Sequence, residues 1–196
     1  MKTDFNITVC ASGGGGNFQA LIDNQVSVGY KINLLIVDRE CGAIDRAKKN
    51  GIEYELLYKK KLGDRFSDTM LKTIPENTDL IVLAGFMPIL DRNFCLRWEN
   101  KIINTHPSLL PQYGGKGMYG VKIQEAVMKA KEKYAGCTVH FVDDKIDNGK
   151  VILQQQVKVD YNETPWELGG RIFKEESKLL VEAIRIIKSQ GENNND

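Results

Sequence analysis

The stretch from Asn6 to Asp23, "NITVCASGGGGNFQALID", is a short apolar run, four consecutive glycines from Gly13 to Gly16, and a segment whose apolar positions recur at helical spacing. An apolar strand that turns through glycine into a helix is the first half of a β-α-β unit. The glycines let the backbone approach an anion closely, and the free amides and positive dipole end of the following helix point at it. Two narrower readings fail on spacing. A dinucleotide fingerprint starting at Gly13 meets Phe18 where its third glycine belongs, and no Gly-Lys-Ser/Thr follows for a Walker loop. A flexible turn without a ligand is the other reading, but four glycines at a strand-helix junction cost chain entropy, which favours phosphate binding.

The same rhythm continues outward. "INLLIVD" (32–38), "IEYELLY" (52–58) and "DLIVLAG" (79–85) are apolar runs separated by amphipathic segments. Near-continuous Val, Ile and Leu suit strands covered on both faces, as in a parallel sheet between helix layers. After the glycine-rich "PQYGGKGMYG" (111–120), a helix is expected over about 121–133. "CTVHFVDD" (137–144) and "KVILQQQVKVD" (150–160) then alternate around Asn148-Gly149, a tight-turn signal for an antiparallel hairpin. Thr164, Pro165 and Glu167 form a capping-box pattern that opens a long terminal helix. The expected fold is α/β, a Rossmann-like doubly wound, mostly parallel sheet with an antiparallel C-terminal hairpin. It is read as one domain over 1–188 with a frayed tail over 189–196.

The 196 residues carry 27 basic and 26 acidic side chains, a formal charge of +1, which argues against nucleic acid as a partner. The four cysteines, Cys10, Cys41, Cys95 and Cys137, lie far apart without a C-x-x-C pair, so a reduced, cytoplasmic setting without structural zinc is expected. No apolar leader precedes the first strand, and no run approaches the ~18 apolar residues of a membrane span.

Several residues stand out for chemistry. In "IINTHPSLLP" (102–111) a strand runs into Pro107, which places Asn104 and His106 on the same side of the strand end. His106 is either a strand-end histidine at the surface or a catalytic one. Asp147 reads by itself as an Asx-type turn residue, and the spacing around it excludes an EF-hand loop. His140 is read as structural. On the terminal helix Ile172, Leu180 and Ile184 recur at four-residue steps, and Glu176 falls inside that apolar stripe. A carboxylate there is satisfied by a neighbouring group or accepts hydrogen bonds from a ligand.

With "SGGGGN", "LAGFMPIL", "NTHPSLLP", "VHFVDDKIDNG" and "VILQ" in this order, nearly the whole chain resembles the phosphoribosylglycinamide formyltransferases, the folate-dependent GAR transformylases of purine (IMP) synthesis. The resemblance implies transfer of a formyl group from 10-formyltetrahydrofolate to the amine of glycinamide ribonucleotide, without a metal; a monomer or weak homodimer is expected. By position it makes Asn104, His106 and Asp147 the catalytic residues. It assigns Gly15, Gly16 and Asn17 to the substrate phosphate and Glu176 to the ribose hydroxyls. Met87, Pro88, Ile89 and Leu90, with Asn104, match the folate-pocket wall, and Arg65 matches an arginine near the glutamate tail. Pro88 departs from the family pattern, where arginine often stands. Asn104 and protonated His106 are then donors to a developing oxyanion, Asp147 holds the imidazolium and relays a proton, and the segment from Gly114 to Gly120 is a lid. Rival readings are a 10-formyltetrahydrofolate hydrolase, whose relatives carry a regulatory domain, and a methionyl-tRNA formyltransferase, which needs more basic C-terminal surface. A non-catalytic nucleotide-phosphate-binding module is the rival from another class.

Overall fold

The structure is a computed structural model that describes residues 5–193. The chain divides between Asn104 and Thr105 into two compact units. In the first, β1 (Phe5–Ala11), α1 (Gly16–Val28), β2 (Tyr30–Val37), α2 (Gly42–Lys49) and β3 (Tyr54–Leu56) alternate as the sequence rhythm predicts. The short α3 (Lys59–Leu62), a 3-10 turn (Gly63–Arg65) and α4 (Phe66–Thr73) follow, then β4 (Leu80–Leu83), α5 (Arg92–Arg97) and β5 (Ile102–His106), whose last two residues belong to the second unit.

The strand order is β3-β2-β1-β4-β5, and every one of these pairings is parallel. Ile7, Val9, Leu35, Ile36, Ile81 and Val82 are fully buried, so unbroken apolar runs are what a doubly covered parallel sheet requires. Gly29, at φ 79°, closes α1 by donating its N–H to the Gln25 carbonyl at 2.8 Å. The strand order reverses between β1 and β4. In a doubly wound sheet the crevice beyond the strand carboxyl ends at that point is where ligands bind.

The second unit contains α6 (Val121–Lys129), β6 (Tyr134–Phe141), β7 (Val151–Lys158) and α7 (Pro165–Asn193). β6 and β7 pair antiparallel, as expected. Ile123 and Val127 of α6, Cys137 of β6, and Leu168 and Ile172 of α7 form one buried cluster. The capping box is reciprocal: Thr164 donates its N–H (2.7 Å) and its hydroxyl (2.8 Å) to Glu167 Oε2, and the Glu167 N–H returns to Thr164 Oγ1 at 3.3 Å.

Three boundaries differ from the sequence expectation. The helix expected over 121–133 ends at Lys129, because Lys131 turns to φ 55°. Its N–H and that of Glu132 bond back to Met128 and Val127 in a Schellman arrangement. Asn148-Gly149 does not make a two-residue turn; residues 142–150 form a longer loop. Asp143 organises it, accepting from Lys145 N–H at 2.9 Å and Asn148 Nδ2 at 3.1 Å. α7 runs through the first part of the expected tail to Asn193, with Lys188 and Glu192 paired at 3.6 Å one turn apart. Residues 194–196 lie outside the described residues.

At Gly136 in β6, an added Cβ would collide with the Gln155 carbonyl oxygen of β7 and stand 2.6 Å from Leu109 Cδ2. Gly136→Ala should therefore lower stability by about 1–3 kcal/mol, the usual cost of overpacking. At Gly170 of α7 nothing lies within 4 Å, and Gly170→Ala should raise stability by up to ~1 kcal/mol through helix propensity. Urea unfolding of the two variants checks both signs.

Candidate active site

The switch point between β1 and β4 is built from two segments that the sequence singles out. β1 ends in the glycine loop, and β4 ends in the segment that carries Met87 to Leu90. Ser12 joins them: its N–H donates to the Gly85 carbonyl at 3.1 Å, and its Oγ accepts the Met87 N–H at 2.8 Å. Within the loop, Gly15 is the N-cap of α1 at φ 70°, and a Cβ there would stand 2.9 Å from Ala43 Cα of α2. Around Gly13 and Gly14 a Cβ would meet nothing within 4 Å. The loop therefore needs glycine at Gly15 for backbone packing and leaves open space over Gly13 and Gly14. α1 has no capping side chain and no acidic residue in its first turn, so its N-terminal dipole is left for an anion. Asn17 is buried in that turn.

Met87 and Ile89 are exposed large apolar side chains, at 46% and 63%, while Leu90 is buried. Phe66 stacks on Phe86 with ring centroids 6.2 Å apart, and Ser67 Oγ accepts the Asp91 N–H at 3.3 Å. These contacts set exposed Arg65, at the start of α4, beside the same segment. Asn104 is opposite Leu83 in the β4/β5 register, two residues before His106.

In the second unit His106 is buried at the end of β5. Its Nδ1 is 3.7 Å from Asp147 Oδ1 and its Nε2 is 3.0 Å from the Tyr113 carbonyl. A carbonyl oxygen only accepts, so Nε2 carries a proton. Asp147 is not an ordinary turn residue. It takes a left-handed conformation, φ 53°, its Oδ2 accepts the Gly115 N–H at 2.8 Å, and its Oδ1 faces a second ring, His140 Nε2, at 3.9 Å. The glycine-rich segment after Pro111 thus touches both members of the pair, through the Tyr113 carbonyl and the Gly115 amide.

His140, read as structural from the sequence, sits in this cluster. Burial holds its imidazole below the ordinary value near 6.5, against the smaller opposing effects of the Phe141 carbonyl and the Asp147 charge. Its Nδ1 faces the Phe141 carbonyl at 2.7 Å. The alternation of Val139, His140 and Phe141 signals only which sheet face the ring occupies; its approach to Asp147 depends on where the 142–150 loop returns.

Glu176 is 7% exposed and falls on the buried α7 ridge between Ile172 and Leu180. Its charge helps to raise the Cys137 thiol of β6, which burial already pushes up, to about 12. Among the described residues no group of His, Cys, Asp and Glu is arranged to hold a metal ion, and no helix is long and apolar enough to cross a membrane.

A family model described as formyl transferase matches residues 5–184. The chain belongs to this formyl transferase family. It is 35% identical over 188 residues to the chloroplastic phosphoribosylglycinamide formyltransferase of Arabidopsis thaliana, an alignment covering 92% of the chain but 64% of that protein. It is also 35% identical to part of the trifunctional purine biosynthetic protein adenosine-3 of Bos taurus, covering 93% of the chain and 18% of that protein. The chain thus spans less than two thirds of the length of these curated relatives. Among solved structures, the phosphoribosylglycinamide formyltransferase from Anaplasma phagocytophilum is 34% identical with a TM-score of 0.84, covering 96% of this chain and 89% of that one. The glycinamide ribonucleotide transformylase 1 from Symbiobacterium toebii is 31% identical with a TM-score of 0.89, covering 97% and 90%.

Within this family member the burial of His140 makes a pH prediction. A folded value below the unfolded one means that the unfolded chain binds the proton more tightly. The stabilisation from neutral His140 is complete above about pH 6.5 and is lost as pH falls through the lowered folded value. His140→Gln should flatten the decline in urea midpoint between pH 7 and 5 relative to the parent protein. An identical slope in the two proteins would remove His140 from the acid-sensitive groups.

Proposed function

We propose that this formyl transferase family member transfers the formyl group of 10-formyltetrahydrofolate to the amine of glycinamide ribonucleotide, a step of purine biosynthesis. The observation that carries the proposal is the pair of buried His106 and partly buried Asp147, 3.7 Å apart, at the end of the strand that bears Asn104. Asn104, His106 and Asp147 are the catalytic residues in this reading. Its likeness to solved structures bearing that name supports it.

The folate cosubstrate supplies a formyl group on a nitrogen that can leave. Met87, Pro88, Ile89 and Leu90, with Arg65 and Asn104, would receive it, and the exposed apolar side chains of Met87 and Ile89 beside a switch-point crevice fit a flat, partly apolar ring. Gly15, Gly16 and Asn17 would take the phosphate of the ribonucleotide, and Glu176 its ribose hydroxyls. As the amine attacks, negative charge grows on the carbonyl oxygen. The Asn104 amide and the His106 N–H are the donors that stabilise it. The His106 Nε2 proton is engaged by the Tyr113 carbonyl, so this role requires that carbonyl to give way. Gly115, Gly117 and Gly120, all at positive φ, give the segment after Pro111 the backbone freedom to do so. Asp147 accepts the proton that the attacking amine must lose and passes it to the folate nitrogen, which leaves as its bond to the formyl carbon breaks and the new amide forms.

The proposal includes one functional domain over 1–188, supported by a family match that runs through both compact units. It also includes a cytoplasmic enzyme with small-molecule substrates, acting as a monomer or weak homodimer; four cysteines far apart in the sequence and the near-neutral charge support a reduced, soluble setting.

Incubation with 10-formyltetrahydrofolate, with and without glycinamide ribonucleotide, tests the reaction by following formylated product and free formate. Product that depends on the amine is expected; formate release independent of it would identify a hydrolase instead. Asp147→Asn keeps side-chain shape but removes the charge, and should lower kcat by about 100-fold or more, in the range of acid-base contributions. Near-normal turnover would return Asp147 to a loop role. Glu176→Ala should weaken ribonucleotide binding by roughly 1.5–3 kcal/mol, the scale of charge-assisted hydrogen bonds, with folate binding nearly unchanged. Calorimetric titration with each ligand decides between this and a purely structural Glu176, for which both affinities would move together.

A further inference from the structure

The glycine loop is held open by one side chain. Arg46, in the middle of α2, donates Nε to the Gly14 carbonyl at 2.7 Å and Nη1 to Gln19 Oε1 of α1 at 3.0 Å. One residue earlier, the Gly13 carbonyl accepts the Ala43 N–H of the α2 N-terminus at 3.1 Å. The contact is close: a Cβ at Gly15 would lie 3.2 Å from Arg46 Cδ, and one at Gly42 would lie 3.3 Å from Gly14 Cα.

Peptide planarity turns these bonds into an orientation. In a trans peptide the C=O of one residue and the N–H of the next point in opposite directions. Holding the Gly13 and Gly14 carbonyls onto α2 therefore aims the Gly14 and Gly15 N–H groups away from α2. Neither amide donates to a protein acceptor among the described residues. Ala43 and Arg46 divide the work. The backbone bond at Gly13 survives any side-chain change at α2, whereas the bond at Gly14 exists only because of the Arg46 side chain.

We propose that Arg46 is a positioning residue for phosphate binding: it fixes the Gly14–Gly15 peptide so that the Gly15 N–H faces the phosphate of the ribonucleotide. This rests on the reading of the glycine loop as the phosphate site. In this proposal Arg46 acts through the backbone, with Nε on the Gly14 carbonyl and Nη1 on Gln19, and the loop amides meet the phosphate. Its removal lets the peptide rotate, and a donor that was oriented before the ligand arrived must be ordered on binding.

The test uses Arg46→Ala and Arg46→Lys in the full chain with three ligands: glycinamide ribonucleotide, the same compound without its phosphate, and the folate. Arg46→Ala should raise KM for the ribonucleotide about tenfold, the scale of one charge-assisted hydrogen bond, with kcat changed little. Affinity for the dephosphorylated compound and for the folate should stay at the parent level. Lysine can reach one carbonyl but cannot bridge to Gln19, so Arg46→Lys should recover part of the loss. Amide NMR separates phosphate binding by the loop from the role of Arg46. In the parent protein the Gly14 and Gly15 N–H signals should move downfield with the ribonucleotide and not with its dephosphorylated form. Signals that ignore the phosphate would overturn the loop reading and the proposal with it. Signals that respond equally in the parent and Arg46→Ala, with KM unchanged, would overturn the role of Arg46 alone, as would a parallel loss of affinity for all three ligands.

Discussion

The second unit is organised around the Asp147 carboxylate. Its two oxygens serve different segments: Oδ1 faces His106 and His140, and Oδ2 holds the Gly115 amide. A carboxylate with 11% of its side chain exposed is costly without polar neighbours; here the glycine-rich segment donates the Gly115 N–H, and the ends of β5 and β6 set the His106 and His140 rings 3.7 and 3.9 Å away. That requirement sets the backbone as well. Asp147 reaches this place only in a left-handed conformation, with Gly149 beside it passing so close to the Phe141 carbonyl that no side chain fits.

The two rings facing this carboxylate are not equivalent. His140 lies on a strand face, buried, with Nδ1 against its neighbour's carbonyl, and burial disfavours its charged form. His106 lies at a strand end, with both nitrogens directed at acceptors: the Tyr113 carbonyl and the Asp147 carboxylate. The ring thus has a backbone carbonyl against one nitrogen and a carboxylate facing the other. The acceptor at Nε2 belongs to the glycine-rich segment, so the ring's availability to a substrate is tied to the conformation of that segment.

In the first unit the corresponding constraint is the reversal of strand order between β1 and β4. At such a reversal the connections leave in opposite directions, and Ser12 ties the segments that follow β1 and β4 with a pair of hydrogen bonds. The glycine run has a division of labour that its composition hides. Gly15 is required by packing on α2, while the surroundings of Gly13 and Gly14 are open. Open space lies on one side of these two residues, and their carbonyls are anchored to α2 on the other.

Local physics was readable from the chain alone. Apolar runs reported the parallel strands, Thr164 and Glu167 the start of α7, and Pro107 the end of β5 at His106, because each depends on residues a few positions apart. The stripe through Ile172 and Leu180 likewise placed Glu176 on a buried face. Tertiary structure decided the rest. Lys131 ends α6 in a conformation usually left to glycine, Asn148-Gly149 serves a long loop rather than a tight turn, and His140 joins His106 around Asp147. The end of α6 is closed by local bonds back to Met128 and Val127, whereas the course of the 142–150 loop and the meeting of the two rings at Asp147 turn on how β5, β6 and the Gly115 amide come together. Periodicity carries no record of such contacts, since it reports which face a side chain occupies and not what the fold brings to meet it.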